Sequence, residues 1–323
     1  MKPLRLGTRG SQLALWQART VASMLQQACG SSCDIVVIKT SGDRLAEAPL
    51  SEAGGKRLFV KEIEDALLRG DIDLAVHSCK DMPVVLPDGL QIGAVLPRED
   101  PHDIVVLPVA QGTGGHPAPL SPDGIAARLG SARVGTSSVR RVAELRRFLR
   151  GARFEPIRGN LDTRLRKLDR GDYDALVLAA AGVRRLGFTD RISATLPFDV
   201  CIPAPGQGAI AVEVRESDED TGERVRRIDH AQTAIEVAAE RVVVSTLGGG
   251  CQTPIGAIAE LRGDSVEVRA VVASLDGARA VRGQATGRPD RASALGAGLA
   301  AQLIRDGALA ILEQVRRDQG IEN

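Results

Sequence analysis

Leu58-Phe59-Val60-Lys61-Glu62-Ile63-Glu64-Asp65-Ala66-Leu67-Leu68-Arg69-Gly70-Asp71-Ile72-Asp73-Leu74-Ala75-Val76-His77-Ser78-Cys79-Lys80-Asp81-Met82-Pro83 holds the fold in small. Phe59, Ile63, Ala66 and Leu67 recur at helical spacing, so 58–69 reads as an amphipathic helix that Gly70 stops. Ile72 to Val76 follows as a short apolar run of strand length, and then the chain turns polar. A helix feeding a buried strand is the repeating step of an α/β fold with largely parallel strands. Ligands in such sheets sit beyond the carboxyl ends of the strands, which is where His77 to Asp81 fall. Asp81 beside Lys80 should stay ionised, because a neighbouring cation favours the charged carboxylate. Met82-Pro83 ends any regular element. A simple polar turn explains the cluster equally well at this point, and His77 reads as a hydrogen-bonded structural residue rather than a catalyst.

The same alternation extends in both directions. Upstream, Leu4 to Gly7 is a short strand, Ser11 caps a helix to about Ala28, and Ile35 to Lys39 is a second strand. The pattern restarts near Asp103. Ile104 to Leu107 is a strand, and the Gly/Pro-rich stretch from Val109 to Gly124 is an exposed loop. Arg133 to Gly135 ends another strand, Ser137 or Ser138 caps a helix to about Arg150, and Leu161 to Arg170 is helical. Asp174 to Ala181 is an apolar strand closed by Gly182. Two α/β units therefore meet near Pro97 to Pro101, a hinge position. After Glu223 the order changes to one helix (Ala231 to Val244), three strand-like runs (255–261, 266–274, 278–285) and a long helix from Ala292 to Val315. This third unit is α+β.

Composition narrows the function. The chain has 323 residues, 43% hydrophobic and 26% charged, with room for two or three domains. Aromatics make up 2%, which argues against stacking platforms for nucleic acid. The 42 basic and 41 acidic residues nearly cancel, so no global field draws the protein to DNA or anionic membrane. No run of apolar residues is long enough to span a membrane, and the start has no signal-peptide core; a cytoplasmic protein is expected. Five cysteines spread thinly are no disulfide framework, and Cys29 and Cys33 lack a partner pair for a metal site.

Local charge is more informative. Gly135-Thr136-Ser137-Ser138-Val139-Arg140-Arg141 combines a strand end, hydroxyls, a helix N-terminus and two guanidiniums. Arg158-Gly159-Asn160 to Arg164, Gly182-Val183-Arg184-Arg185 and Gly7-Thr8-Arg9-Gly10-Ser11 repeat the recipe. Each alone reads as a solvated arginine, as do Arg146, Arg147 and Arg150. Four together at strand ends suit a cleft for a ligand rich in carboxylates. Phosphate chemistry has no P-loop here. Leu247-Gly248-Gly249-Gly250-Cys251-Gln252-Thr253-Pro254 presents a thiol on a loop nearly stripped of side chains, although a tight turn with an incidental cysteine explains that loop when it is read alone.

Taken together, these segments resemble the porphobilinogen deaminase (hydroxymethylbilane synthase) family. The resemblance is carried by Thr8 to Gln17, Gly55 to Glu62, His77 to Asp81, Gly135 to Arg141, Arg158-Gly159-Asn160, Pro205 to Ala209 and Gly249 to Gly256, in family order. It implies two α/β domains like type II periplasmic binding proteins plus a smaller C-terminal α+β domain. The implied boundaries are 1–96 with a returning 209–226, then 103–202, then 229–323. It further implies a monomeric cytoplasmic transferase with no metal. Such an enzyme adds four porphobilinogen units head to tail to a dipyrromethane cofactor joined by a thioether to Cys251, releases ammonia each time, and hydrolyses off the tetrapyrrole on the way to heme.

Residue by residue, the resemblance makes Asp81 the catalytic carboxylate. Arg140, Arg141 and Arg164 would hold cofactor carboxylates, with Lys80, Ser78, Thr136, Ser137, Ser138 and Gly159 as further cofactor contacts. Arg9, Arg158 and Arg185, together with Ser11, Lys56, Gln17 and Gln207, would bind substrate or the growing chain. Glu52 and Arg57 depart from the family pattern, Cys79 stands where Met or Leu is usual, and the loop from Gln111 to Gly124 is longer than usual. Two other readings remain at this stage. One is a solute-binding module that closes on a polycarboxylate. The other is a cysteine-nucleophile transferase, which would want a histidine beside Cys251.

Overall fold

The computed structural model describes residues 2–44, 60–109, 120–250 and 252–320. In chain order the first four strands are β1 (Leu4–Thr8), β2 (Cys33–Val37), β3 (Leu74–Ser78) and β4 (Leu90–Val95). Next come β5 (Asp103–Val106), β6 (Arg133–Gly135), β7 (Arg153–Glu155), β8 (Ala175–Ala179) and β9 (Ala194–Leu196). The last four are β10 (Ile210–Arg215), β11 (Ile255–Arg262), β12 (Ser265–Ala273) and β13 (Ala280–Gly287). They form two five-stranded sheets, ordered β2-β1-β3-β10-β4 and β7-β6-β8-β5-β9, and a three-stranded sheet β11-β12-β13.

The chain divides into two compact units. One is Met1–Glu99 with Gly208–Ile235; the other is Asp100–Gln207 with Glu236–Asn323. The break falls within the stretch expected to be a hinge. The two large sheets have one plan. In each, three parallel strands are followed by one strand antiparallel to both its neighbours, β10 in the first and β5 in the second. The expectation of largely parallel strands holds for four of the five strands in each sheet, and the one reversed strand makes both sheets mixed. With the smaller C-terminal three-stranded sheet, this is the α/β architecture that the resemblance implied.

Local sequence explains the elements. The Ser11 hydroxyl accepts the Ala14 amide at 3.2 Å and starts the helix Gln12–Cys29, which Gly30 ends at φ 67°. Its buried face (Ala18, Val21, Leu25) packs on Leu6, Leu74, Val212 and Val214, all but sealed from water. Each such side chain contributes about 1.5–3 kcal/mol of burial. In the second sheet, Val105, Val134, Ala175 and Val177 meet Leu145 and Leu149 in the same way.

Several boundaries differ from expectation. The 72–76 run becomes a strand at Leu74–Ser78, because polar His77 and Ser78 still find ladder partners in Ala211 and Ile210. The strand expected through Ala181 stops at Ala179, and the helix Ala180–Arg185 begins there. Of the loop expected from Val109 to Gly124, residues 110–119 lie outside the described residues, and its last three residues open a helix, Pro122–Arg128, started by Ser121 with Pro at its first turn. The long C-terminal helix is two, Ala292–Arg305 and Ala308–Asp318, separated by Gly307 at φ 99°. Four strands were unforeseen: β4, β7 and β9 lie at sheet edges, whereas β10 lies inside the first sheet.

The outer edge of β11 is covered. The amides of Ala257, Ala259 and Leu261 donate to the Pro203 carbonyl (3.0 Å), Glu240 Oε1 (2.8 Å) and Glu236 Oε1 (3.0 Å). Both carboxylates come from the helix Ala231–Thr246, so an otherwise sticky edge is closed by side chains one turn apart. Among the described residues no single helix is long and apolar enough to cross a membrane.

Candidate active site

In the first unit, β3 runs into a 3-10 turn, Cys79–Asp81, that carries Lys80 and Asp81 half-exposed at the carboxyl end of the strand. The turn is pinned on three sides. The Cys79 amide donates to the Ala209 carbonyl (3.0 Å), extending the β3–β10 ladder. Cys79 is buried, a place suited to the Met or Leu usual at that position. Gln17 Nε2 donates to the Ser78 hydroxyl at 2.9 Å, and Gln17 is itself buried, so these two expected contacts are joined to each other. His77 is buried and lies 3.1 Å from a fully buried Glu213 carboxylate on β10. Its reading as a structural residue fits that placement.

Arg9, at the end of β1, meets Asp43 side-on, with Nε 3.1 Å from Oδ1. Burial works against the Asp43 charge. Arg9 and the Thr40 hydroxyl and amide outweigh it and hold the carboxyl below its usual range. Ser11 is occupied as the helix cap. Lys56, Glu52 and Arg57 lie outside the described residues.

In the second unit the arginine-bearing segments come together. Ser137 Oγ donates to the Ile157 carbonyl (2.7 Å) and accepts the Ile157 amide (3.0 Å), tying the turn after β6 to the loop after β7. Ser138 caps the helix Val139–Phe148, and Thr136 is buried beneath it. Arg164 Nε donates to the Gly159 carbonyl at 2.8 Å and Lys167 to the Arg158 carbonyl at 3.3 Å, so the 158–160 loop is held from the helix Leu161–Asp169 that follows it. Arg158, Arg164 and Arg185 are half-buried, while Arg184 is exposed and pairs with Asp100 at 2.9 Å.

Arg140 and Arg141 sit deeper than their sequence context suggested, 4% and 7% exposed. Arg140 Nη1 contacts Asp103 Oδ2 (2.7 Å) and the Ile202 carbonyl (2.6 Å), and lies 3.5 Å from Glu144. Arg141 binds Asp103 Oδ1 (2.7 Å) and the Val177 carbonyl (3.0 Å). Gln207, expected at substrate, is buried in the same hub and donates to Asp103 at 2.9 Å and to the Pro101 carbonyl at 2.7 Å. Burial alone would raise the Asp103 carboxyl, but the two guanidiniums hold it far below the usual range. Glu144 goes the other way: burial pushes it up to about 7 despite Arg140 and Arg282. Burial also raises the Cys201 thiol, which donates to Asp103 at 3.2 Å.

Cys251 lies outside the described residues. Its surroundings do not. Gly248 takes φ 65° as the helix Ala231–Thr246 ends, and a Cβ at Gly249 would meet Ile255 Cδ1 at 2.3 Å. A Cβ at Gly250 would meet open space. Thr253 Oγ1 donates to the Gly250 carbonyl at 2.6 Å and accepts the Gly250 amide at 3.1 Å, closing the loop across its tip.

Sequence reasoning missed Asp43, Asp103 and Glu144, the carboxylates that face these arginines. Asp103 left a trace, since a charged residue heading an apolar strand needs a buried counter-ion. The cation-rich loops and the bare loop at residues 248–250 have the donor chemistry and the room that a carboxylate-bearing dipyrromethane requires.

Comparison with known proteins gives this geometry its family. The family model described as "Porphobilinogen deaminase, dipyromethane cofactor binding domain" matches residues 4–223, and "Porphobilinogen deaminase, C-terminal domain" matches 234–305. The porphobilinogen deaminase of Geotalea daltonii is 45% identical over 316 residues, 98% of this chain and 95% of the relative. Those of Pelotomaculum thermopropionicum and Syntrophomonas wolfei are each 44% identical, covering 98% of this chain and 98% and 100% of theirs. A solved VFT2 domain of Bordetella pertussis BvgS overlays loosely, with TM-score 0.42 at 14% identity over 70% of this chain and 86% of that domain. The chain belongs to the porphobilinogen deaminase family.

Proposed function

We infer that the protein is a porphobilinogen deaminase, a transferase that condenses four porphobilinogen units onto a covalent dipyrromethane primer and releases hydroxymethylbilane. The observation that carries the reading is Asp81, half-exposed on a pinned turn at the carboxyl end of β3, in a chain matched by both family models over 4–223 and 234–305. At each addition the aminomethyl C–N bond breaks, ammonia leaves, and the methylene carbon bonds to the free α-carbon of the terminal pyrrole. That carbon then gives up its proton. Release would break the methylene–pyrrole bond to the primer, with a proton returned to the primer's α-carbon and the hydroxyl of water going to the product's methylene carbon.

Asp81 is suited to two parts of this chemistry. Its carboxylate stabilises positive charge on pyrrole nitrogens as ammonia departs, and it takes part in removing the ring proton. Lys80 orients acidic groups beside it, and the Gln17–Ser78 bond holds the turn at a fixed depth. Arg9 and Ser11 in the first unit, with Lys56, take substrate carboxylates. In the second unit Arg158 and Arg185 do the same, and Arg164, Ser137, Ser138 and Gly159 hold the primer. Arg140 and Arg141 support it from a hub whose arginines (140, 141 and 282) outnumber its carboxylates (Asp103 and Glu144). The bound dipyrromethane supplies the nucleophilic pyrrole carbon; the chain supplies charge, position and a proton acceptor.

Intact mass tests the reading. Purified protein should exceed its sequence mass by two linked pyrrole units and give a pyrrole colour reaction, and Cys251→Ser should lose both. Fully active protein of unmodified mass would remove the covalent primer from the scheme. Elution as a monomer on a sizing column is also expected.

A further inference from the structure

The helix Ala231–Thr246 carries a carboxylate whose two oxygens serve two different segments. Glu240 is fully buried. Its Oε2 accepts the Gly206 amide at 2.6 Å, and its Oε1 accepts the Ala259 amide at 2.8 Å. Gly206 stands at φ 72° in Pro205-Gly206-Gln207-Gly208, the segment that returns the chain from the second unit to the first. Its neighbour Gln207 reaches into the Asp103–Arg141 hub. Ala259 lies on β11, the strand that leaves the Cys251 loop, and the helix bearing Glu240 is the one that enters it.

We infer that Glu240 is a positioning residue for chain elongation, fastening the base of the helix–loop–strand element that presents Cys251 to the return segment. The chemistry of the contact supports more than sheet integrity. A carboxylate accepting two amides in a buried setting makes charge-assisted bonds, stronger and more directional than neutral ones. Both oxygens are committed, so the two segments are held at one separation. The neighbouring fastening, the Ala257 amide on the Pro203 carbonyl at 3.0 Å, engages the chain just ahead of the return segment, three residues before Gly206. Elongation demands that one thiol-anchored chain be offered to the same catalytic carboxylate at successive lengths. A loosely held anchor would misplace the reacting carbon, and displacements near 1 Å are costly.

The inference rests on Cys251 carrying the primer, and the experiment separates the two. Wild type, Glu240→Gln and Leu299→Ala are given limiting porphobilinogen and followed by intact mass and steady-state kinetics. Leu299 is a buried residue of the same domain, and its truncation lowers stability without touching the return segment. Glutamine accepts through one oxygen and sets an NH2 against the other amide, so it breaks one of the two links.

The expected result is that Glu240→Gln carries the two-pyrrole mass as wild type does. Species with one, two or three added units should then persist, and kcat should fall ~10- to 100-fold with KM little changed. Leu299→Ala should melt earlier yet elongate normally. Normal elongation by Glu240→Gln overturns the inference, and so does equal stalling by Leu299→Ala. If Glu240→Gln does not fold, Glu240→Asp, which keeps the charge but is one methylene short of spanning both amides, must stall in its place; normal elongation by it overturns the inference too. A wild-type mass without the two-pyrrole excess refutes the anchor at Cys251 itself, whatever the variants do.

Discussion

Glu144 and Arg282 meet at 3.0 Å, joining the helix Val139–Phe148 to β13 of the C-terminal sheet through a carboxylate that has no exposed surface. Burial raises the Glu144 carboxyl from 4.5 to about 7. Between those values the folded state holds a proton that the unfolded chain has released. The contribution is therefore complete below about 4.5 and is lost as pH rises through about 7. Stability should fall across that window by up to ~1.4 kcal/mol per pH unit from this group. Glu144→Gln should flatten the slope, read as denaturant midpoints at intervals from pH 5 to 7. An unchanged slope would mean that Arg140 and Arg282 keep Glu144 ionised.

Asp103 is the opposite case. Its carboxyl is depressed, so its stabilisation is present above its ordinary value of 3.8 and fades as pH falls below that. Asp103→Ala leaves Arg140 and Arg141 buried without their shared anion, and a loss of about 3–5 kcal/mol is expected in chemical denaturation. A loss under ~1 kcal/mol would show that water or Glu144 replaces it, as surface pairs allow.

Gly208 and Glu99 touch where the two connecting segments pass. Gly208 has φ 88°, and a Cβ there would lie 2.2 Å from the Glu99 carbonyl oxygen. Gly208→Ala should therefore destabilise by more than ~1 kcal/mol, since strain and a backbone clash act together. A melting temperature equal to wild type would contradict the close approach.

Asp81→Asn should fold and melt as wild type, because Asp81 is half-exposed on a turn held by Cys79, Ser78 and Gln17. Turnover should drop ~10²- to 10⁴-fold, the range expected for loss of a positioned acid–base group. Near-normal turnover would take Asp81 out of the mechanism.

What could be read in the sequence follows how local the physics is. The helix Gln12–Cys29 is announced by its Ser11 cap, and the three C-terminal strands by the strand-like runs at 255–261, 266–274 and 278–285. Edge strands β4, β7 and β9 were not legible, because half-paired strands need less apolar character, and the central β10 was missed although Ile210, Val212 and Val214 alternate. The arginines were legible as residue type and spacing. Their division was not: Arg158 sits on a loop and Arg164 on the helix that follows it, while Arg140 and Arg141 turn inward to Asp103, a partner 37 and 38 residues away that no local pattern links to them. Glu240 is invisible for the same reason, since its partners are backbone amides of two distant segments.

The order β3-β10-β4 also bears on how the molecule is made. β3 and β4 are joined only through β10, and β10 emerges after every strand of the second large sheet, which is contiguous from Asp103 to Leu196. During synthesis the second sheet has all its strands while the first still has a vacant slot between β3 and β4. The turn bearing Asp81, whose Cys79 amide bonds to Ala209 just ahead of β10, gains that contact only when the slot is filled. The part of the chain translated first is thus among the last to be finished, and a nascent chain halted before Ile210 would have a complete second sheet but an incomplete first one.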